Sequence, residues 1–117
     1  MQSMSTLNNT TERIPAVRGD WCPPHPGELL SEDVLPATGK SKSEIARLLG
    51  ISRQHLHDIL SEKKPVSPEV AVRLGKLFGN GPRIWIGMQV AYDTWHAERN
   101  IDVSAIPTLP THKEAAE

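Results

Sequence analysis

Residues 41–60 read SKSEIARLLGISRQHLHDIL, and this stretch decides the fold. Ser41, followed three residues on by Glu44, fits a capping box, so a helix starts at about residue 42. Ile45, Leu48 and Leu49 give it an i, i+3, i+4 apolar face. Gly50 ends it, at a position where a left-handed residue costs least. Ser52 is a good N-cap for a following helix with Leu56, Ile59 and Leu60 as its buried stripe.

The two helices also fit each other. Short helices that cross steeply need a small residue where their backbones approach, and Ala46 supplies it. Their turn needs a residue tolerant of positive φ, here Gly50. The second helix needs an apolar side chain aimed back at the first, here Leu56. Together these features define a helix-turn-helix. At about 100° per residue, the side opposite Leu56, Ile59 and Leu60 carries Gln54, Asp58 and Ser61, flanked by His57 and Arg53. Such a helix reads base edges mainly from its N-terminal residues. Arg53 suits guanine O6 and N7, Gln54 suits adenine, and Asp58 can accept from cytosine N4. Ser52 at the helix N-terminus suits a phosphate. Lys42, Lys63 and Lys64 are candidate neutralisers of the nucleic-acid backbone.

Outward from this core, three more helices are predicted. The first is GELLSEDVL, 27–35, with Leu29, Leu30, Val34 and Leu35 as its stripe and Pro36 as its stop. The helix after Ser52 frays into SEKK and stops before Pro65. The fourth helix opens on Ser67 and Pro68, the preferred pairing of cap and first position. It buries Val70, Ala71, Leu74, Leu77 and Phe78 and closes at Gly79. The fifth runs from Pro82 to about Arg99. Residues 101–106 are a weak strand candidate, and no other segment alternates with period two. The predicted class is therefore all-α, a bundle of five short helices. Six of the ten prolines lie in 1–26 or 107–117, and both ends are polar. The expected organisation is an N-terminal tail (1–25), the helix-turn-helix domain (26–99) and a C-terminal tail (100–117).

The fifth helix is apolar around most of its circumference. Trp85, Met88, Tyr92 and Trp95 share one face; Ile84, Gly87 and Ala91 form a second line, and Ile86 and Val90 a third. One side can bury against the core, and the remainder would be an exposed apolar patch, which usually marks an interface. Paired helix-turn-helix units read two half-sites about 34 Å apart. A homodimer through Ile84, Ile86, Gly87, Val90 and Ala91 is expected.

Composition sets the outer limits. With 117 residues, 38% of them apolar, the chain suits one domain. The total of 13 basic against 14 acidic side chains argues against nucleic acid until its distribution is read. Residues 1–39 are net −3 and 65–117 net −1, whereas 40–64 are net +3 through Lys40, Lys42, Arg47, Arg53, Lys63 and Lys64. The positive charge sits on the helix-turn-helix. No apolar run is long enough to span a membrane. The polar N-terminus predicts no secretory signal, and the lone Cys22 predicts a reduced thiol in the cytoplasm. His25, His55, His57, His96 and His112 are scattered, and no metal-ligand motif or Gly-rich phosphate loop is present. An enzyme, a metal, a cofactor and a small-molecule substrate are not expected. Arg18-Gly19-Asp20 spells an adhesion tripeptide by chance.

Four segments in order carry a resemblance: His25-Pro26-Gly27-Glu28, LGISRQHLHDIL at 49–60, SPEVAVRLGKLFG at 67–79 and IWIGMQVAYDTW at 84–95. Together they resemble the HigA/VapI-type antitoxins of the XRE helix-turn-helix family over about 25–96. Trp85, Gln89, Tyr92 and Asp93 match the family's W-x3-Q-x2-YD signature, and Ala71, Arg73 and Leu74 match its A-x-RL step. Met88 and Thr94 stand where the family usually has Leu. The resemblance implies a dimer that represses its own operon at a palindromic double-stranded DNA operator. It also implies a protein partner, a RelE/HigB-like ribonuclease toxin that the antitoxin neutralises. The family's DNA-contacting positions fall on Lys42, Ser43, Ser52, Arg53, Gln54, His55, His57 and Asp58. His55 and His57 replace the small or hydroxyl residues common there, so the operator sequence does not carry over. The toxin contacts are expected at the first helix or a tail. Two other readings fit the residues: a stand-alone repressor, and a protein-interaction module with little DNA binding.

Overall fold

The structure is a computed structural model and describes residues 21–111. Three serines start three of its helices. Ser41 Oγ accepts from the Glu44 N–H at 3.1 Å, Ser52 Oγ from His55 at 2.9 Å, and Ser67 Oγ from Val70 at 3.2 Å. Each satisfies one of the donors that a helix start leaves open. The helices they open are α2 (Lys42–Leu49), α3 (Arg53–Leu60) and α4 (Pro68–Phe78). Before them lies α1 (26–38), and after them α5 (Pro82–Asn100). The class is all-α, as expected, with no strand among the described residues. Residues 101–106 form no strand; they hold a turn, in which the Ile106 N–H donates to the Val103 carbonyl. No described helix is long and apolar enough to cross a membrane.

Helix α1 departs from its predicted end. It is α-helical over Pro26–Leu29, π-helical over Leu30–Val34 and α-helical again over Leu35–Thr38. Pro36 therefore lies inside the helix. The Leu35 N–H reaches back five residues to the Leu30 carbonyl. A wide turn of this kind opens the backbone just where a proline ring would meet the carbonyl four residues before it. Gly39, left-handed at φ 71°, ends the helix instead.

The core is one cluster, with Leu30 and Leu35 from α1, Ile45, Ala46 and Leu49 from α2, and Leu56, Ile59 and Leu60 from α3. Val66, Val70, Ala71, Leu74 and Trp85 complete it. Truncating a residue such as Leu56 to Ala costs about 2–5 kcal/mol. Leu48, predicted on the buried face of α2, is exposed, because the buried arc of that helix runs through Ile45, Ala46 and Leu49 instead. Two glycines are required by close approach. A Cβ on Gly27 would sit 2.0 Å from the Ile59 carbonyl oxygen, and one on Gly75 would sit 2.2 Å from the Gly81 backbone. Gly50 is left-handed at φ 77°, as the turn between α2 and α3 demands.

The boundary at residue 25 falls inside the packed structure. His25 is 3% exposed and caps α1, with Nδ1 accepting from the Gly27 N–H at 2.9 Å. Its ring meets Tyr92 of α5 edge-on, at 5.0 Å between centroids. Burial holds the His25 pKa below the ordinary histidine value, against the opposing charges of Glu62 and Asp93. The first twenty residues of the N-terminal tail, with Arg18-Gly19-Asp20, lie outside the described residues, as does 112–117 with His112.

Candidate nucleic-acid interface

Helix α3 is held by three buried side chains on one side, so its other side has a fixed presentation. Arg53, Gln54 and His57 are exposed there and line a shallow recess with Lys42, which starts α2. The sequence puts Arg53, Gln54 and His57 on one face of α3 and Lys42 at the start of the preceding helix; in the structure the four line one recess. Ser43 is exposed one residue beyond Lys42. Ser52, expected to offer its hydroxyl to a phosphate, accepts through Oγ from the His55 N–H, and its hydroxyl hydrogen remains to donate. His55 is half-buried beside it.

The far end of α3 is more self-contained. Ser61 Oγ donates to the His57 carbonyl at 2.9 Å, and the backbone N–H groups of Lys63 and Lys64 donate to the Asp58 carbonyl. Glu62 takes a left-handed φ of 66° to make this turn. The Lys63 side chain is exposed, whereas Lys64 Nζ lies 4.0 Å from Asp58 Oδ2. Gln54 Nε2 donates to Asp58 Oδ1 at 2.9 Å. Arg47 does not line the recess; its Nε and Nη2 donate to the two carboxylate oxygens of Glu44. That pairing holds the Glu44 carboxyl below its usual pKa, and it takes the carboxylate that a full capping box would return to Ser41.

Three residues outside the recess fix the geometry. Arg73 of α4 donates through Nη1 to the Leu49 carbonyl at 2.9 Å and through Nη2 to Glu69 at 2.9 Å. It thereby satisfies a carbonyl that the end of α2 leaves open. Gln89, 3% exposed on α5, accepts from the Val66 N–H at 2.7 Å and donates to Asp93 at 3.0 Å. This ties the loop after α3 to α5. Trp85 is buried and donates to Asn80 at 2.9 Å. Periodicity alone missed Gln89, because a buried glutamine breaks the apolar pattern.

The outer side of α5 leaves Ile84 51% and Val90 54% exposed, with Gly87 and Ala91 exposed between them. Ile86, grouped with them by sequence, is half-buried and packs against the core. Met88, Tyr92 and Trp95 are half-buried on the inner side with Trp85.

An N-capped α3 exposed beside the start of α2 makes this a helix-turn-helix protein of the DNA-binding kind. A family model described as "Helix-turn-helix" matches residues 37–85. The virulence-associated protein I of Dichelobacter nodosus is 34% identical over 74% of this chain and 81% of its own. Among solved structures, the antitoxin GraA in complex with its operator is 29% identical, with a TM-score of 0.70 over 90% of this chain and 99% of that one. The Pseudomonas aeruginosa antitoxin HigA with the higBA promoter is 30% identical, with a TM-score of 0.65 over 74% and 99%. The chain belongs to the HigA/VapI family of XRE-type helix-turn-helix antitoxins and regulators.

Proposed function

We propose that this chain is the antitoxin of a type II toxin–antitoxin pair. It binds a palindromic operator as a homodimer and represses its own operon. It also binds and neutralises a RelE/HigB-like ribonuclease toxin. The observation that carries the DNA half is the recess of Lys42, Arg53, Gln54 and His57 at the start of a rigidly seated α3. Arg53 and Gln54 read base edges, and Lys42 and Lys63 neutralise phosphates, with Ser43 and Ser52 as hydroxyl donors. The likeness to antitoxins solved with operator or promoter DNA supports this reading. Pairing through Ile84, Gly87, Val90 and Ala91, with Ile86 behind them, places two copies of α3 on successive half-sites. Glu28, Glu32 and Asp33 are exposed along α1 and suit a basic toxin at that helix.

The test is a gel shift on the DNA upstream of the chain's own reading frame, with co-purification of the neighbouring gene product. Salt-sensitive binding to an inverted repeat is expected. Arg53→Ala should cost about 1–3 kcal/mol and relax one base position, and Lys42→Ala should weaken all sequences equally. Indifference to that DNA at low salt would refute the repressor half. DNA binding without a co-purifying toxin would favour a stand-alone repressor.

A further inference from the structure

Within α3, two polar side chains one turn apart face each other. Gln54 Nε2 donates to Asp58 Oδ1 at 2.9 Å, and Lys64 Nζ lies 4.0 Å from the other carboxylate oxygen. The Asp58 side chain is 16% exposed, and Gln54 is an exposed residue. An ionised carboxylate can only accept, so it takes the NH₂ end of the amide and repels the carbonyl end. We propose that Asp58 is a positioning residue that fixes the Gln54 amide with its carbonyl turned outward, and so restricts Gln54 to bases that offer a donor. This rests on the operator-binding reading and deepens it.

A free glutamine amide reverses end for end. One orientation presents the carbonyl to adenine N6 or cytosine N4; the other presents NH₂ to guanine O6 or thymine O4. Asp58 removes the second orientation. The bond to Asp58 uses one amide hydrogen. Asp58 itself, placed by sequence on cytosine, is turned to Gln54 instead. Lys64, placed by sequence on phosphate, lies against Asp58.

The experiment selects bound duplexes from a randomised pool with the full chain and with Gln54→Ala, Asp58→Asn and Asp58→Ala. The parent should prefer adenine or cytosine over guanine at one position of each half-site by about tenfold. Gln54→Ala should abolish that preference. Asp58→Asn keeps the size and a hydrogen bond to Gln54, yet its amide accepts either orientation of the neighbour. Both Asp58 variants should bring the ratio at that one position to within about threefold, while the other positions keep theirs. Loss of one negative charge raises affinity for every sequence alike, so the ratio separates orientation from electrostatics. A parent-like ratio in Asp58→Asn, or a parent-like ratio in Gln54→Ala, overturns the proposal. If the parent selects no sequence at all, the operator-binding reading fails first and the proposal falls with it.

Discussion

Replacing Gln89 with Leu keeps the side-chain volume and removes both hydrogen bonds at that site. The Val66 N–H is the critical loss. It donates to Gln89 Oε1 at 2.7 Å, and Val66 is 1% exposed, so water cannot substitute. A buried donor left without a partner costs about 1–3 kcal/mol. The Asp93 carboxylate, on an exposed residue, recovers its lost bond from solvent. The expected destabilisation is therefore about 1–3 kcal/mol, a substantial part of the 5–15 kcal/mol typical of a domain. For a core of this size, each kcal/mol moves the midpoint by about 4–8 °C, so Tm should fall by about 4–24 °C. Far-ultraviolet circular dichroism melts at pH 7 give the number. Gln89→Glu is the control, because a carboxylate still accepts from Val66. Its second oxygen then faces Asp93 at hydrogen-bond distance, where the two groups must share a proton. A shared proton raises the folded-state pKa, so the stability is present at low pH and lost as pH rises through the carboxylate range. That variant should approach the parent near pH 4 and fall below it at pH 7. A Gln89→Leu protein melting within about 3 °C of the parent would refute the reasoning.

Three further outcomes are expected. Gly27→Ala should lower Tm by more than 10 °C, because its methyl meets the Ile59 carbonyl oxygen, and backbone cannot move aside as a flexible side chain can. Gly87 has open space around its missing Cβ, so Gly87→Ala should stabilise the helix by about 1 kcal/mol; if α5 pairs closely with a second copy, analytical ultracentrifugation should show weaker dimerisation at the same time. His25 is held neutral by burial, and its Nδ1 must stay unprotonated to cap α1. Its depressed pKa means stability that is full above the unfolded value of about 6.5 and is lost as pH falls below it. His25→Asn, which keeps a capping acceptor, should flatten that part of the pH–Tm curve; an unchanged slope would point to another group.

Local chemistry was legible in the sequence, and long-range chemistry was not. Ser41, Ser52, Ser67, Gly50 and Gly79 mark helix ends through bonds to their own neighbours, and each acts where its type predicts. The recess was legible for the same reason, since Arg53, Gln54 and His57 share one turn of one helix. Gln89 and Gly27 act across the fold on residues distant in sequence, Gly75 acts on the turn that follows its own helix, and no periodicity reports them. Leu48 looked buried by spacing, but spacing does not say which of two adjacent stripes a crossing helix will use. The Gln54–Asp58 bond was within reach, because an i, i+4 Gln–Asp pair is a known helix pairing.

The π turn of α1 ties chain length to composition. A wide turn carries one residue more than an α-helix of the same rise, and the proline ring behind it needs that width. Deleting one residue from Leu30–Val34 would restore a regular helix and drive the Pro36 ring into a carbonyl. Replacing Pro36 alone would leave a wide turn with nothing to accommodate. The insertion and the proline therefore form a lock of two parts, and chains that lack one are expected to lack the other.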